Sequence, residues 1–205
     1  MLFVIGLGLN ELGISLECKK VLKKCKKLYL DSYTVDFPYP IGELNEVIGK
    51  KIIPADREFV EKQGFVELVD EAKMMDIALL VYGSPLTATT HVSLIEEAKK
   101  SGVKYKVIYA ASVFDAVAES GLSLYKFGKT ASLPKWKTSY TPTSFIHIIK
   151  DNQKIGAHTL LLIDIGLDFE SAKFQLKETG FKFDKVISNI TSVLFSSTLL
   201  SLINM

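Results

Sequence analysis

The chain has 205 residues, 48% hydrophobic and 23% charged, a composition that excludes an intrinsically disordered protein and allows one or two domains with a sizeable core. The net charge of +2 and a pI near 8.3 announce neither a nucleic-acid binder nor an acidic tail. Of the 25 basic residues, Arg57 is the one arginine, and arginine is the fork that reads phosphates and guanine edges, so direct nucleic-acid binding is not expected.

The elements follow in chain order. Leu2 to Ile5 is an apolar run ending in glycine, the pattern of a buried strand entering a tight loop. Gly6, Gly8 and Glu11 interrupt this run and no basic segment precedes it, so it does not read as a signal peptide. From Ile14 to Cys25 the apolar positions share one helix face, with Lys19, Lys20, Lys23 and Lys24 on the other. Cys18 and Cys25 lie seven apart, beyond disulfide reach within a helix. They read as small buried hydrophobes in a reducing compartment. The two cysteines and three scattered histidines make no convincing metal set.

Leu28 to Leu30 predicts the next strand, followed by Asp31, Ser32 and Tyr33. A Pro-containing loop leads to a short helix ending near Gly49, and Lys51 to Ile53 reads as a weak strand stopped by Pro54. Arg57 to Met75 reads as mostly helical. Ile77 to Tyr82 is a strong strand ending at Gly83. Thr90 is the expected N-cap of a helix through Lys100, with Gly102 as its stop. Lys106 to Tyr109 is another strand, and a helix is expected from about Ser112 to Ser120.

The pattern shifts near Gly121. Tyr125 to Lys137 is a strand-and-turn stretch, and Pro142 and Thr143 open a helix lasting to about Lys154. Thr159 to Ile165 is a second fully buried strand signal, and a helix from about Phe169 to Glu178 closes at Gly180. Lys185 to Ile190 is the last strand candidate. The uncharged tail from Val186 to Met205 is too rich in Ser, Thr and Asn for a membrane span and reads as a buried strand followed by a short helix. This alternation predicts a mainly parallel α/β architecture in two α/β lobes, residues 1–116 and 117–205, with a ligand in the cleft between them.

In an open α/β sheet, ligands bind beyond the carboxyl ends of strands. The first strand leads into Gly6, Leu7, Gly8, Leu9 and Asn10. Glu11 replaces the third glycine of a dinucleotide fingerprint, and no phosphate-loop Lys is present. A plain tight turn explains this pair equally well. After Tyr82 come Gly83, Ser84, Pro85, Leu86, Thr87, Ala88, Thr89, Thr90 and His91, more hydroxyls than one helix cap requires. Tyr109 leads into Ala110, Ala111 and Ser112, small residues that either leave room for a ligand edge or allow close packing. Asp164 either bonds a ligand or caps its loop. His147 reads as structural and His158 as a turn residue. Serine-nucleophile motifs are missing. Such a site binds and positions, which suits group transfer from a cofactor.

Several strings resemble the diphthine synthases of the tetrapyrrole methylase superfamily. They are IGLGL at Ile5–Leu9, ADREFVE at Ala55–Glu61, GSPLTATTH at Gly83–His91, AASVFDAV at Ala110–Val117, GLSLYKFGK at Gly121–Lys129, SYTPTSF at Ser139–Phe145 and HTLLLIDI at His158–Ile165. The resemblance implies S-adenosylmethionine as cofactor and no metal. It implies methyl transfer to the modified histidine of elongation factor 2, with the enzyme a cytoplasmic homodimer. Cofactor contacts carry over to Leu9, Ser84, Thr87, Ser112, Val113 and Ile163; no catalytic residue is assigned. Ser84 stands where the family has Asp, and after Ile165 the second lobe is expected to be abbreviated. Two other readings stay open: a tetrapyrrole or RNA methylase of the same fold, and a catalytically weakened homologue acting as a binding module.

Overall fold

The computed structural model describes residues 1–33, 37, 39–56, 59, 64–164, 166–180, 185–187 and 201–204. Arg57 and much of the 57–63 stretch, Ile165 and the 188–200 part of the tail lie outside them. The chain divides into two compact units, Met1–Asp115 and Ala116–Met205.

The first unit holds a five-stranded sheet in the order β3-β2-β4-β1-β5. Its strands are β1 (Leu2–Gly6), β2 (Lys27–Asp31), β3 (Ile53–Ala55), β4 (Ile77–Val81) and β5 (Tyr105–Ile108). All four pairings are parallel, as strands joined by helical crossovers require. The helices are α1 (Leu16–Lys24), α2 (Ile41–Ile48), α3 (Phe65–Met74), α4 (Val92–Lys100) and the short α5 (Val113–Ala116). Every residue of β1 and β4 is buried, because helices cover both faces of the sheet. On one face Phe3, Ile5, Leu28, Leu30 and Leu80 pack with Cys18, Leu22 and Leu44. On the other, Leu2, Val4, Ile77, Leu79 and Val81 pack with Leu68, Val69, Leu94 and Ala98. Each fully buried Val, Leu, Ile or Phe among them contributes ~1.5–3 kcal/mol.

Local details follow from the sequence with few exceptions. Ser15 caps α1 by accepting the Cys18 amide at 3.0 Å. At the other end Lys50 Nζ donates to the carbonyls of Leu22, Lys23 and Cys25 at 2.8, 2.9 and 2.8 Å. These are orphan groups that the helix cannot satisfy itself. Pro54 does not stop the third strand but lies within β3, opposite Leu30. β3 is an edge strand, where a missing N–H need not break a ladder. Thr90 does not cap α4. His91 holds the cap position with no side-chain cap bond, because its ring is turned into the protein. The helix expected from Ser112 forms as α5 and then tightens to a 3₁₀ turn at Val117–Ser120.

The second unit contains β6 (Ala131–Leu133), α6 (Ser144–Lys154), β7 (Thr159–Ile163), α7 (Phe169–Glu178), β8 (Lys185–Ile187) and β9 (Ser201–Asn204). Its sheet order is β6-β7-β9-β8. β6 and β7 are parallel, while β9 is antiparallel to both β7 and β8, so this sheet is mixed. Where the tail suggests a short helix, Ser201–Asn204 is a strand that pairs through the backbone on both sides. The core joins Leu133, Phe145, Ile149, Leu161, Ile163 and Leu176. Buried Asn152 is its polar clasp: its side chain accepts the Lys129 amide at 2.9 Å and donates to the Lys129 carbonyl and Thr159 Oγ1, both at 2.8 Å. All of its polar capacity inside the core is thereby answered.

Candidate functional site

The carboxyl ends of β1, β4 and β5 lie side by side in the first unit, and the loops that leave them meet. Gly8 donates to the Gly83 carbonyl at 3.2 Å and Gly83 donates back to Gly8 at 2.9 Å. Both glycines have positive φ, 78° and 71°, a conformation that a side chain would strain. The third loop closes against them. A Cβ at Gly6 would meet the Gly83 oxygen at 2.6 Å and both Ala110 Cβ and Pro85 Cδ at 2.9 Å. The small residues after these strands therefore serve close backbone approach, whatever else they serve.

Five of the six residues assigned by resemblance sit on this platform. Leu9 is half-buried, and its carbonyl accepts the Tyr82 hydroxyl at 2.8 Å. Ser84 is 8% exposed, and its carbonyl accepts the Thr87 amide at 3.1 Å, making Ser84–Thr87 a tight turn. Ser112 is 6% exposed. Its amide and hydroxyl both donate to Asp115 Oδ2, at 2.6 and 3.0 Å, and its oxygen accepts the Phe114 amide at 3.2 Å. Val113 opens α5. Ile163 belongs to the second unit, where it ends β7 and packs in the core.

An aromatic group flanks Leu9. Phe37 meets Tyr39 and Tyr82 edge-on, with ring centroids 5.6 and 5.5 Å apart. Burial pushes the Tyr82 phenol up to about 12. It pushes the Tyr39 phenol up as well, with Tyr82 and Glu11 adding to the shift. The Tyr39 hydroxyl is buried without a hydrogen-bond partner among the described residues, beside the loop that carries Leu9. A donor left unanswered there costs ~1–3 kcal/mol, which a ligand oxygen could recover.

Behind the Ser84 turn lies a pair that no motif announced as a unit. His91 and Asp31, at the end of β2, are both fully buried, with His91 Nε2 3.2 Å from Asp31 Oδ2. The approach is off-line, and the contact is not a directed hydrogen bond. His91 Nδ1 lies 3.2 Å from the Pro85 carbonyl, which also accepts Thr89 Oγ1 at 2.8 Å. Between Thr87 and Thr89, Ala88 takes φ +55°, the one non-glycine residue so strained among the described residues.

The sequence named Asp31 and His91 separately but could not join them. Asp115 was not singled out, although Ser112 and Asp115 have the spacing of a capping box that would have found it. The remaining polar candidates turn inward or outward. Asp164 Oδ2 accepts the Lys135 amide at 3.2 Å, so its carboxylate ties the β6 loop to β7. His147 is exposed on α6, and His158 stacks obliquely on Phe127. Among the described residues no group of three His, Cys, Asp or Glu could hold a metal ion. None of their helices is long and apolar enough to cross a membrane.

The site thus offers hydroxyls, main-chain groups and an aromatic flank. That donor set fits a cofactor with an adenosyl group and an amino-acid tail.

The profile of the tetrapyrrole (corrin/porphyrin) methylases matches residues 1–192. The diphthine synthase of Methanocaldococcus jannaschii is 42% identical over 184 residues, 89% of this chain and 71% of that one. The human diphthine methyl ester synthase is 39% identical over 178 residues, 86% of this chain and 62% of the other. A crystal structure of a diphthine synthase superposes with a TM-score of 0.81 at 33% identity, covering 91% of this chain and 75% of that one. The chain spans somewhat under two thirds of the human relative's length. Profile, relatives and superposed structure agree, and the chain belongs to the tetrapyrrole methylase family, in its diphthine synthase branch.

Proposed function

We propose that this chain is an S-adenosylmethionine-dependent methyltransferase of the diphthine synthase type. Its protein substrate is the modified histidine of elongation factor 2, and it works in the cytoplasm as a homodimer. The observation that carries the reading is the convergence of the β1, β4 and β5 loops, locked through Gly6, Gly8 and Gly83, in a chain whose relatives are named for diphthine.

In this reading Leu9, Ser84, Thr87, Ser112 and Val113 contact the cofactor. When bound, that cofactor would supply an electrophilic methyl group on its sulfonium for an unprotonated amine of the substrate. The protein's own part is binding and alignment. Holding two reactants in register can supply ~7–11 kcal/mol in favourable systems, so a strong general base is not obligatory. Ser112 contributes mainly by fixing its loop, because its amide and hydroxyl are already engaged with Asp115.

Calorimetric titration with S-adenosylhomocysteine, then labelled methyl transfer to elongation factor 2 carrying the unmethylated intermediate, tests the reading. Binding with transfer is expected. Binding without transfer would turn the assignment to a binding module, and absence of binding would end it. Mass spectrometry of the product counts the methyl groups, which matters because the relatives' names divide between diphthine and its methyl ester. Light scattering on the eluting protein tests the dimer.

A further inference from the structure

We infer that the buried Asp31–His91 pair positions the Ser84–Thr87 turn, acting as a tether from the end of β2 through the imidazole to the Pro85 carbonyl. The inference rests on the assignment of Ser84 and Thr87 to the cofactor and adds residues that the assignment does not contain.

Three observations support it. The first is location. Both side chains are completely buried, and a buried ion pair rarely adds stability over apolar packing of the same shape. Stability alone is therefore a poor account of why a carboxylate and an imidazole occupy the core behind this loop. The second is the hydrogen inventory. The Pro85 carbonyl can only accept, so a bonded Nδ1 carries a hydrogen. Asp31 Oδ2 lies 3.2 Å from the other ring nitrogen. The ring is thus oriented from one side and spends its remaining donor on the loop. Asp31 is itself held in place, since Oδ1 accepts the Tyr33 amide at 3.2 Å.

The third is strain. Ala88 keeps its left-handed φ directly beside Thr87, and such residues persist where their surroundings over-determine them. Here the surroundings are the two donors on one carbonyl, Thr89 Oγ1 and His91 Nδ1. They pin Pro85, and the turn between Ser84 and Thr87 inherits its shape. His91 and Asp31 are positioning residues in this account, with no contact to the reacting atoms.

The test uses the full chain, with two readouts: amide hydrogen exchange across residues 83–90 without ligand, and calorimetric affinity for S-adenosylhomocysteine. His91→Leu removes the tether. Loss of one such bond is expected to speed exchange and weaken affinity by about tenfold. His91→Asn places an amide N–H where Nδ1 stood. It keeps the bond to Pro85 and should hold both readouts within about threefold of wild type, although it lowers the melting temperature as the leucine variant does. Thr89→Val removes the second donor from the same carbonyl and should shift both readouts in the same direction by a smaller factor.

A folded His91→Leu with wild-type exchange and affinity overturns the tether. So does an asparagine variant as impaired as leucine, because packing would then be what matters. If the leucine variant does not fold, unchanged exchange and affinity in Thr89→Val overturn it instead. If the wild type itself binds no S-adenosylhomocysteine, the functional reading fails, and the exchange data still decide the tether.

Discussion

Gly6 and Gly83 approach so closely that a methyl group on Gly6 would lie 2.6 Å from the Gly83 carbonyl oxygen. The end of β1 and the turn after β4 are therefore fitted to one another through backbone. Gly6→Ala forces them apart and also meets Ala110 and Pro85. It should cost about 1–3 kcal/mol of stability, as overpacking does, and depress S-adenosylhomocysteine affinity further than that loss explains. Chemical denaturation and calorimetry on the same sample separate the two effects. An alanine variant of wild-type stability and affinity would contradict this fit.

Ser84 offers the loop a neutral hydroxyl where the resemblance implies an Asp. Hydrogen bonds to charged groups contribute ~1.5–3 kcal/mol against ~0.5–1.5 for neutral ones. Ser84→Asp should accordingly tighten S-adenosylhomocysteine binding by about tenfold. Equal affinity in the two proteins would remove Ser84 from the cofactor set.

Lys50 closes the end of α1 with three carbonyl bonds, to Leu22, Lys23 and Cys25. Lys50→Met keeps the aliphatic stem and deletes the donors. We expect about 1–2 kcal/mol of destabilisation with cofactor affinity unchanged, since the helix end lies away from the loops. Urea unfolding read by circular dichroism measures it.

The two thiols give a pH signature. Burial raises Cys18 from 9.0 to about 12, with Cys25 and Glu17 adding to the rise. Burial raises Cys25 from 9.0 to about 11, with Asp76 adding to the rise. Below pH 9 both states of the chain keep these protons, so stability does not depend on them. From pH 9 toward about 12 the unfolded chain releases protons that the folded chain retains, and stability falls. The urea midpoint should drop over that window, and less in a Cys18→Ala, Cys25→Ala double variant. At neutral pH a thiol reagent should label neither cysteine until the protein unfolds.

In the second unit Gly128 faces Asn152 Oδ1 with no space for a methyl group. Gly128→Ala must displace the amide that holds Lys129 and Thr159 together. A loss of about 2–3 kcal/mol is expected, the order of a broken buried polar network. Thermal unfolding followed at Trp136, which lies in this unit, reports it.

Much of this molecule is written locally. The apolar runs at Leu2–Ile5, Ile77–Tyr82 and Thr159–Ile165 announce strands covered on both faces, and helix faces, caps and stops follow from three- and four-residue spacing. The loops after β1, β4 and β5 were legible as tight turns, because glycines, a proline and hydroxyl residues follow the ends of apolar strands. What the sequence alone determined was therefore the kind of fold and which strands end in tight, glycine-bearing turns. The tertiary structure decided the rest. The order β3-β2-β4-β1-β5, the edge position that lets Pro54 lie in a strand and the pairing of β9 all depend on partners distant in the chain. The Asp31–His91 contact is of the same kind: sixty residues apart by their numbering, the two meet because β2 lies beside β4 and the loop after β4 turns back over it. No local periodicity encodes such a meeting, because side chains find it only after the sheet has set the distance between them.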